Sequence, residues 1–262
     1  STAEEWTRIE KYACPIQGWA SKRELCALFD SAKACTKGAI VEIGSWKGRS
    51  TTALGLGSQA GKNTTVYAID PHTGSPDHLQ KRGVTALWTF DEFKENMRKT
   101  NLEKIVEPIL DTSVHQALSW RKPIEFLFLD ANYHDFQAGY DDFITWSAFV
   151  RDGGTIAMHN QYPSLRAIMR EGAPFHGWPG PRKVLRKLVY GKRGWSDLRI
   201  MDSTVFMRKN ARSTFFDLAK GEMVQLTGAG IVLMHKLYQI TTALPIPLKK
   251  FVKRFLFFRR EN

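Results

Sequence analysis

Two histidines, an aspartate and an asparagine stand where apolar stretches end, and they carry chemistry that a core does not need. Asp130 closes "FLFLD", His134 follows four residues later, and His159 and Asn160 close "DGGTIAMHN". An imidazole accepts a proton near neutral pH. His134 is therefore the candidate general base, and His159 the alternative base or a metal ligand. The oxygens of Asp130 and Asn160 suit Mg2+, whereas the imidazole of His159 favours zinc-like or softer ions. Asp130 acts either as a ligand or as the group that orients a base. The plainer reading is that all four cap strand ends and bond loops.

A second constellation lies upstream in "VEIGSWKGRST", which begins at Val41. Gly44 and Gly48 leave the backbone bare where a Cβ would intrude on a ligand. The helix expected after them offers free N–H groups and the positive end of its dipole, which suit a carboxylate. Ser50 adds a hydroxyl, and Glu42 can accept a hydrogen bond from a cationic amine. Asp70 closes the next strand, roughly the ~20-residue distance at which an acid grips ribose hydroxyls. Its plainer reading is a solvated acid at a strand end.

For these groups to converge, the apolar runs must be neighbouring strands of one sheet. Candidate strands are 39–44, 65–70, 105–110, 124–130, 154–158, 198–202 and 204–208, with candidate helices at 49–59, 89–100, 113–119, 135–149 and 181–189. Several strands are continuous apolar runs, which suits a parallel sheet covered on both faces. The last two strands, parted by Ser203, predict an antiparallel hairpin. The expected class is α/β: a Rossmann-like, mostly parallel seven-stranded sheet with helices on both faces and a helical C-terminal appendage. Its expected divisions are a helical lead-in over 1–38, a ligand-binding domain over 39–210 and a basic appendage over 211–262. In the lead-in, Ser21 and Glu24 have the spacing of a capping box. Insert-like stretches at 71–88 and 160–181 follow strand ends, where open α/β sheets place their ligands.

Length and composition suit one large globular domain, since 262 residues can bury a sizeable core. Cys14, Cys26 and Cys35 form no zinc or C-x-x-C pattern and read as buried thiols of a reducing cytoplasm. No secretory signal opens the sequence. The net charge of +12 favours an anionic partner and gathers in 180–193 and 247–260. The apolar run near 224–247 is interrupted by His235 and Lys236 and falls short of a membrane span. In "PLKKFVKRFLFFRR", Phe251, Phe255 and Phe258 share a helical face with Leu248, while cations lie elsewhere. That is the build of an interfacial helix on an anionic membrane; the alternative is an arm packed on the domain or on a second subunit.

The dinucleotide fingerprint requires glycine at position 46, where Trp46 stands. A ligand with an amino-acid head and a ribose but no pyrophosphate fits better, and that describes S-adenosylmethionine. The segments "VEIGSWKGRST", "YAIDPHTG", "FLFLDANYHDF" and "DGGTIAMHN" resemble class I S-adenosylmethionine-dependent methyltransferases over about 38–210. The likeness is to the catechol O-methyltransferase-like group and its bacterial relatives acting on sugar hydroxyls. It implies that Glu42, Gly44, Trp46 and Ser50 hold the methionine end and Asp70 the ribose. Asp111 and Ser113 would then lie near the adenine, although both are also helix N-cap types. The resemblance further implies a metal, Mg2+ or another divalent ion, held by Asp130, His159 and Asn160. Relatives show Asp-Asn or His-Asp where this chain has His-Asn, and place a histidine three residues after the fourth-strand acid rather than four.

The resulting expectation is an O-methyltransferase acting on a sugar hydroxyl of a membrane-associated glycan or glycolipid, with an anionic membrane met through 247–260. Such a protein would be cytoplasmic, peripheral on the inner face of the membrane. Trp178 and Trp195 are placed either to stack on sugars or simply to pack. Asp141 and Asp142 read as solvated or structural acids. The alternatives are a small soluble phenol or antibiotic sugar as acceptor, or a non-catalytic nucleic-acid-binding module. Nucleic acid is not expected as a partner, because no RNP-type signature occurs. Homo-oligomerisation stays open.

Overall fold

The computed structural model describes residues 2–74, 79, 83–130, 136–163 and 178–243. Helices α1 (Ala3–Tyr12) and α2 (Lys22–Lys33) precede the first strand. Then β1 (Ala39–Ile43), α3 (Arg49–Ala60), β2 (Val66–Ile69), α4 (Phe90–Lys99), β3 (Val106–Ile109) and α5 (Ser113–Ser119) build the first half. The second half runs β4 (Ile124–Leu129), α6 (Phe136–Phe149), β5 (Val150–Met158), α7 (Pro179–Leu188), β6 (Gly194–Met201) and β7 (Thr204–Asn210). Helix α8 (Phe215–Ala243) closes the described chain.

The strands form one seven-stranded sheet in the order β3-β2-β1-β4-β5-β7-β6. The first five are parallel, and β7 pairs antiparallel with both β5 and β6. Successive side chains of a strand point to opposite faces, and both faces here are covered. Ile40, Phe126, Phe128 and Ala157 meet α2, α3 and α4 through Leu28, Leu54 and Phe93. Val41, Ile43, Leu127 and Ile156 meet α5, α6 and α7 through Ala117, Phe143 and Val184. That is why these strands read as unbroken apolar runs.

The capping box is present: Ser21 Oγ accepts from Glu24 N–H, and Glu24 Oε2 accepts from Ser21 N–H at 2.7 Å. Two details of the strands differ from the sequence reading. Strand β5 starts at Val150 and pairs with Ile124 before an irregularity in register. Strand β6 starts at Gly194, and its turn holds Asp202 as well as Ser203, Asp202 having φ 49°. The apolar segment after 212 is one 29-residue helix, and among the described residues no helix is long and apolar enough to cross a membrane. Cys14, Cys26 and Cys35 are free thiols, the last two buried. The cationic stretch 247–260 lies outside the described residues.

Candidate functional site

Strand register assembles the site. Ile69, Ile43, Leu129 and Met158 form one row across β2, β1, β4 and β5. The next residue of each strand, Asp70, Gly44, Asp130 and His159, therefore emerges in a second row at the carboxyl ends. Backbone bonds hold it: Gly44 N–H donates to Ile69 O (2.9 Å), Asp130 N–H to Ile43 O (2.9 Å) and His159 N–H to Leu129 O (3.0 Å). With strands about 4.8 Å apart, the row spans about 14 Å. It crosses the boundary between β1 and β4, where the strand order reverses and open α/β sheets bind ligands.

Glu42 is fully buried in the strand behind this row. Its carboxyl accepts from the hydroxyls of Ser50 (2.5 Å) and Thr51. Burial drives its pKa up, the two hydroxyls oppose this, and the charges of Asp130 and Asp70 push it further, to about 8. Three carboxyl groups thus converge from three adjacent strands, and Glu42 keeps its proton at neutral pH. A cation brought to this cluster would draw that proton off.

Asp70 is occupied differently from the sequence expectation. Its Oδ2 accepts from the backbone N–H groups of Ser45 (2.9 Å) and Trp46 (2.8 Å), and its Oδ1 from His72 N–H (2.7 Å). It pins the glycine turn to the tip of β2, leaving only its remaining lone pairs for a ribose. Gly48 has a left-handed φ of 88°, which favours glycine, and a Cβ there would stand 2.8 Å from Met97 Cε, the movable end of a flexible side chain. Trp46 (φ 50°), His72 (φ 56°) and Asn160 (φ 63°) put further left-handed residues at the same rim. Such strain gathers at functional sites, and Asn is among the residues that tolerate it.

His159 is 1% exposed and lies between two acids. Its Nδ1 meets Asp130 Oδ1 at 2.7 Å, and its Nε2 faces Glu24 Oε1 at 3.6 Å. Burial lowers its pKa, but Asp130 and Glu24 together outweigh burial and raise it to about 10. Burial likewise opposes the charge on Glu24, yet His159, Ser203 and Ser21 hold that carboxyl down at about 2. Both ring nitrogens of His159 are thus turned to carboxylates, an environment that favours the imidazolium.

Asn160 Nδ2 donates to the same Asp130 Oδ1 at 3.1 Å, so the three candidate ligands bond one another. Among the described residues no group of three or more His, Cys, Asp or Glu is placed to hold a metal ion. With the imidazole between two carboxylates and the asparagine amide turned to the acid, these side chains bond one another rather than present free donor atoms to an ion. His134, the expected base, lies outside the described residues.

At the other end of the row, Asp111 Oδ1 accepts from Thr112 N–H (2.7 Å) and Oδ2 pairs with His115 Nδ1 (2.6 Å). The cap of α5 is Thr112, not Asp111 or Ser113. Ser113 Oγ donates to buried Asp142 Oδ1 at 2.6 Å, tying α5 to α6. Trp195 packs on Phe143 and donates its Nε1–H to Leu188 O, which settles it as a packing residue. Trp178 stays near the row, its N–H donating to Asn160 O (2.9 Å).

Three contributors were not singled out from sequence. Glu24 was read only as a capping partner, but its Oε1 also accepts from Ser203 N–H (2.9 Å), Ser203 Oγ (2.6 Å) and Thr204 Oγ1 (2.7 Å). Trp19, 55% exposed, has its ring 5.9 Å from Trp46 at the mouth of the turn. Arg49 carries it there by bonding the carbonyls of Cys14, Ile16 and Ala20. His72 is fully buried, bonded through Nδ1 to Thr89 Oγ1 (3.0 Å) and packed near Phe90 and Phe93. No local motif marks any of these roles.

Residues 41–161 match a family model described as a methyltransferase domain. Among solved structures, the O-methyltransferase NovP is similar at 15% identity and a TM-score of 0.56, over 72% of this chain and 81% of its own. The O-methyltransferase TomG from Streptomyces achromogenes, involved in tomaymycin synthesis and in complex with SAM, is 15% identical with a TM-score of 0.53. That likeness covers 80% of this chain and 91% of TomG. An O-methyltransferase from Bacillus cereus in complex with SAH is 16% identical with a TM-score of 0.52, covering 80% and 92%. At such identities the likeness is one of fold.

Proposed function

We propose that the methyltransferase domain carried by residues 41–161 moves a methyl group from S-adenosylmethionine to an oxygen. The acceptor in this reading is a sugar hydroxyl of a membrane-associated glycan or glycolipid. The observation that carries the reading is the cluster of the Glu42, Asp70 and Asp130 carboxyl groups beside the left-handed turn at Gly44. A ligand bearing an ammonium and a sulfonium brings positive charge to it, whereas a pyrophosphate would be repelled.

Bound S-adenosylmethionine supplies a methyl carbon on positive sulfur, open to in-line displacement by an oxygen. Gly44 lets the ligand approach, and the first N–H groups of α3 face its carboxylate. Glu42, held by the Ser50 hydroxyl, would give up its proton to solvent on binding of an ammonium, and Trp46 would lie at the same end. Asp70 fixes the turn and reaches toward the ribose, and Asp111 and Ser113 flank the adenine end. His134, which lies outside the described residues, is the base that would take the acceptor proton. Asp130 uses one oxygen on His159 and Asn160 and turns the other toward the reacting groups. His159, already protonated, positions Asp130.

Oxygen as acceptor is supported by the likeness to proteins named O-methyltransferases. An anionic, membrane-associated acceptor is supported by the charge of +12 and by Lys183, Arg186, Lys187, Lys192 and Arg193, all exposed on and after α7. The cationic, aromatic 247–260 adds to this from sequence. A small soluble phenol or antibiotic sugar is the second reading, favoured by the involvement of TomG in tomaymycin synthesis.

Calorimetry with S-adenosylhomocysteine tests the cofactor, with binding expected for the wild type and lost in Asp70→Ala; no binding by the wild type overturns it. Transfer of labelled methyl into an anionic glycolipid extract, with co-sedimentation on anionic vesicles, tests the acceptor. Label entering only water-soluble phenols or sugars, without vesicle binding, assigns the second reading.

A further inference from the structure

Helix α8 presents two apolar stripes, and the domain uses one. Gly221, Gly228, Ile231 and His235 are buried, with Gly228 seated against the ring of Tyr162 and Gly221 against Tyr190 and Gly191. The second stripe runs through Phe216, Met223, Leu226, Gly230, Leu233 and Leu237 on the outer side. Phe216 is 82% exposed, Met223 67%, Leu226 70%, Leu233 58% and Leu237 40%. From Met223 onward the steps alternate three and four residues, the 3.5-residue spacing of a coiled-coil seam. Phe215 (80% exposed) and Met234 (38%) flank the seam on the same side, so the vesicle arm of the test below separates a partner helix from lipid.

We propose that this stripe docks a second copy of the chain, the two α8 helices running antiparallel across a dyad beside Gly228. The pattern is its own complement in that direction. Inverted about position 228, Leu226 falls on the partner's Gly230, and Met223 on the partner's Leu233. Nothing lies within 4 Å of where a Cβ on Gly230 would stand, so the space for the leucine is open. A parallel pair in register would face glycine with glycine and leave a void in mid-seam. The same inversion brings Glu222, whose carboxylate lies along Gly191 at the edge of the stripe, toward the partner's Lys236, twice in the pair.

The size is sufficient. The five large side chains expose on the order of 600 Å2 per protomer, so pairing removes roughly 1,200 Å2 in all, the threshold of a standard stable interface. The seam from Phe216 to Leu237 is about 33 Å long at helical rise. This inference does not depend on the acceptor or on the cofactor.

Sedimentation equilibrium of the full chain between 1 and 50 µM tests it. The wild type is expected to be a dimer. Leu226→Glu combined with Leu233→Glu is expected to weaken association by at least roughly 100-fold. Both side chains are exposed in the protomer, so S-adenosylhomocysteine affinity should stay unchanged, while the thermal midpoint should fall only to that of the dilute, dissociated wild type. For direction, Met223→Cys protein mixed with Leu233→Cys protein, both in a Cys14→Ser background, should form a mixed disulfide, and Met223→Cys alone should not. A monomeric wild type at 50 µM overturns the proposal, as does efficient self-crosslinking of Met223→Cys. A monomer whose binding to anionic vesicles is lost in the double variant also overturns it and gives the stripe to lipid.

Discussion

Replacing Glu42 by glutamine tests the electrostatic argument at its centre. The carboxyl is fully buried and its pKa stands at about 8 against an ordinary 4.5. Between those values the folded protein keeps a proton that the unfolded chain has released. The stabilisation from that proton is complete below pH 4.5, declines by about 1.4 kcal/mol per pH unit and is gone once pH passes about 8. The accumulated loss is on the order of 4–5 kcal/mol. Glutamine has nearly the same shape and does not titrate. The unfolding free energy of Glu42→Gln minus that of wild type should therefore climb with pH at about 1.4 kcal/mol per unit and level off above 8. Urea unfolding of both proteins from pH 5 to 9 measures it, and titrations not coupled to Glu42 cancel in the difference. The second half of the argument is read in binding. Below pH 8 the wild type should release a proton on taking up S-adenosylhomocysteine, seen as a buffer-dependent calorimetric heat. The variant should release none and bind roughly 10- to 100-fold more weakly, the worth of a charge-assisted hydrogen bond. Parallel stability curves would mean that Glu42 is already ionised, and the carboxyl cluster would lose its meaning.

Glu24→Gln leaves His159 with Asp130 as its only close counter-charge, and should cost about 3–5 kcal/mol in urea unfolding at pH 7. In the wild type the Glu24 contribution is present above pH 4.5 and lost as pH falls toward 2, and that of His159 is present below 6.5 and lost as pH rises toward 10. Asp70→Asn removes one of the acceptors serving the turn. It should weaken S-adenosylhomocysteine binding at least about 10-fold and cost about 1–3 kcal/mol of stability, measured by calorimetry and urea. Gly48→Ala should lower stability by roughly 1–3 kcal/mol through left-handed strain, besides crowding Met97, as read from its unfolding midpoint. Methyl transfer should be unchanged by EDTA, because Asp130, His159 and Asn160 satisfy one another; loss of activity restored by Mg2+ would show that they rearrange around an ion.

The architecture was legible because its signals are local. Runs such as "AIVEI" and "IEFLFL" are apolar throughout, since both faces of their strands are covered. The segments "VEIGSWKGRST" and "DGGTIAMHN" carried the resemblance to methyltransferases, which the family match over 41–161 bears out. Boundaries failed where packing overrides pattern. Strand β6 begins in "GWSD", whose polar residues and irregular register hide the strand. Strand β5 starts early because Val150 pairs with Ile124, and Arg151 to Gly154 fall in the register irregularity before Thr155 pairs with Phe126. Site residues were legible by position but not by partner. Strand ends mark Asp70 and Asp130, whereas nothing near Asp70 says that it will hold the backbone of Ser45 and Trp46. Glu24 was hardest, since it meets Ser203 across a separation of 179 residues, and no periodicity reports such a meeting.

That long-range meeting also governs when the surroundings of His159 and Asp130 become whole. Glu24 and Asp130 leave the ribosome before Ser203 and Thr204, which the hairpin turn delivers last. Until then Glu24 lacks three of its donors, and the charge facing His159 is poorly screened from water. The geometry around Asp130 is thus a report on completed synthesis: a nascent chain stopped before the last two strands can hold most of its sheet and still present a loosened imidazolium. Competence for ligand would then arrive abruptly with the final hairpin, rather than growing with each strand added.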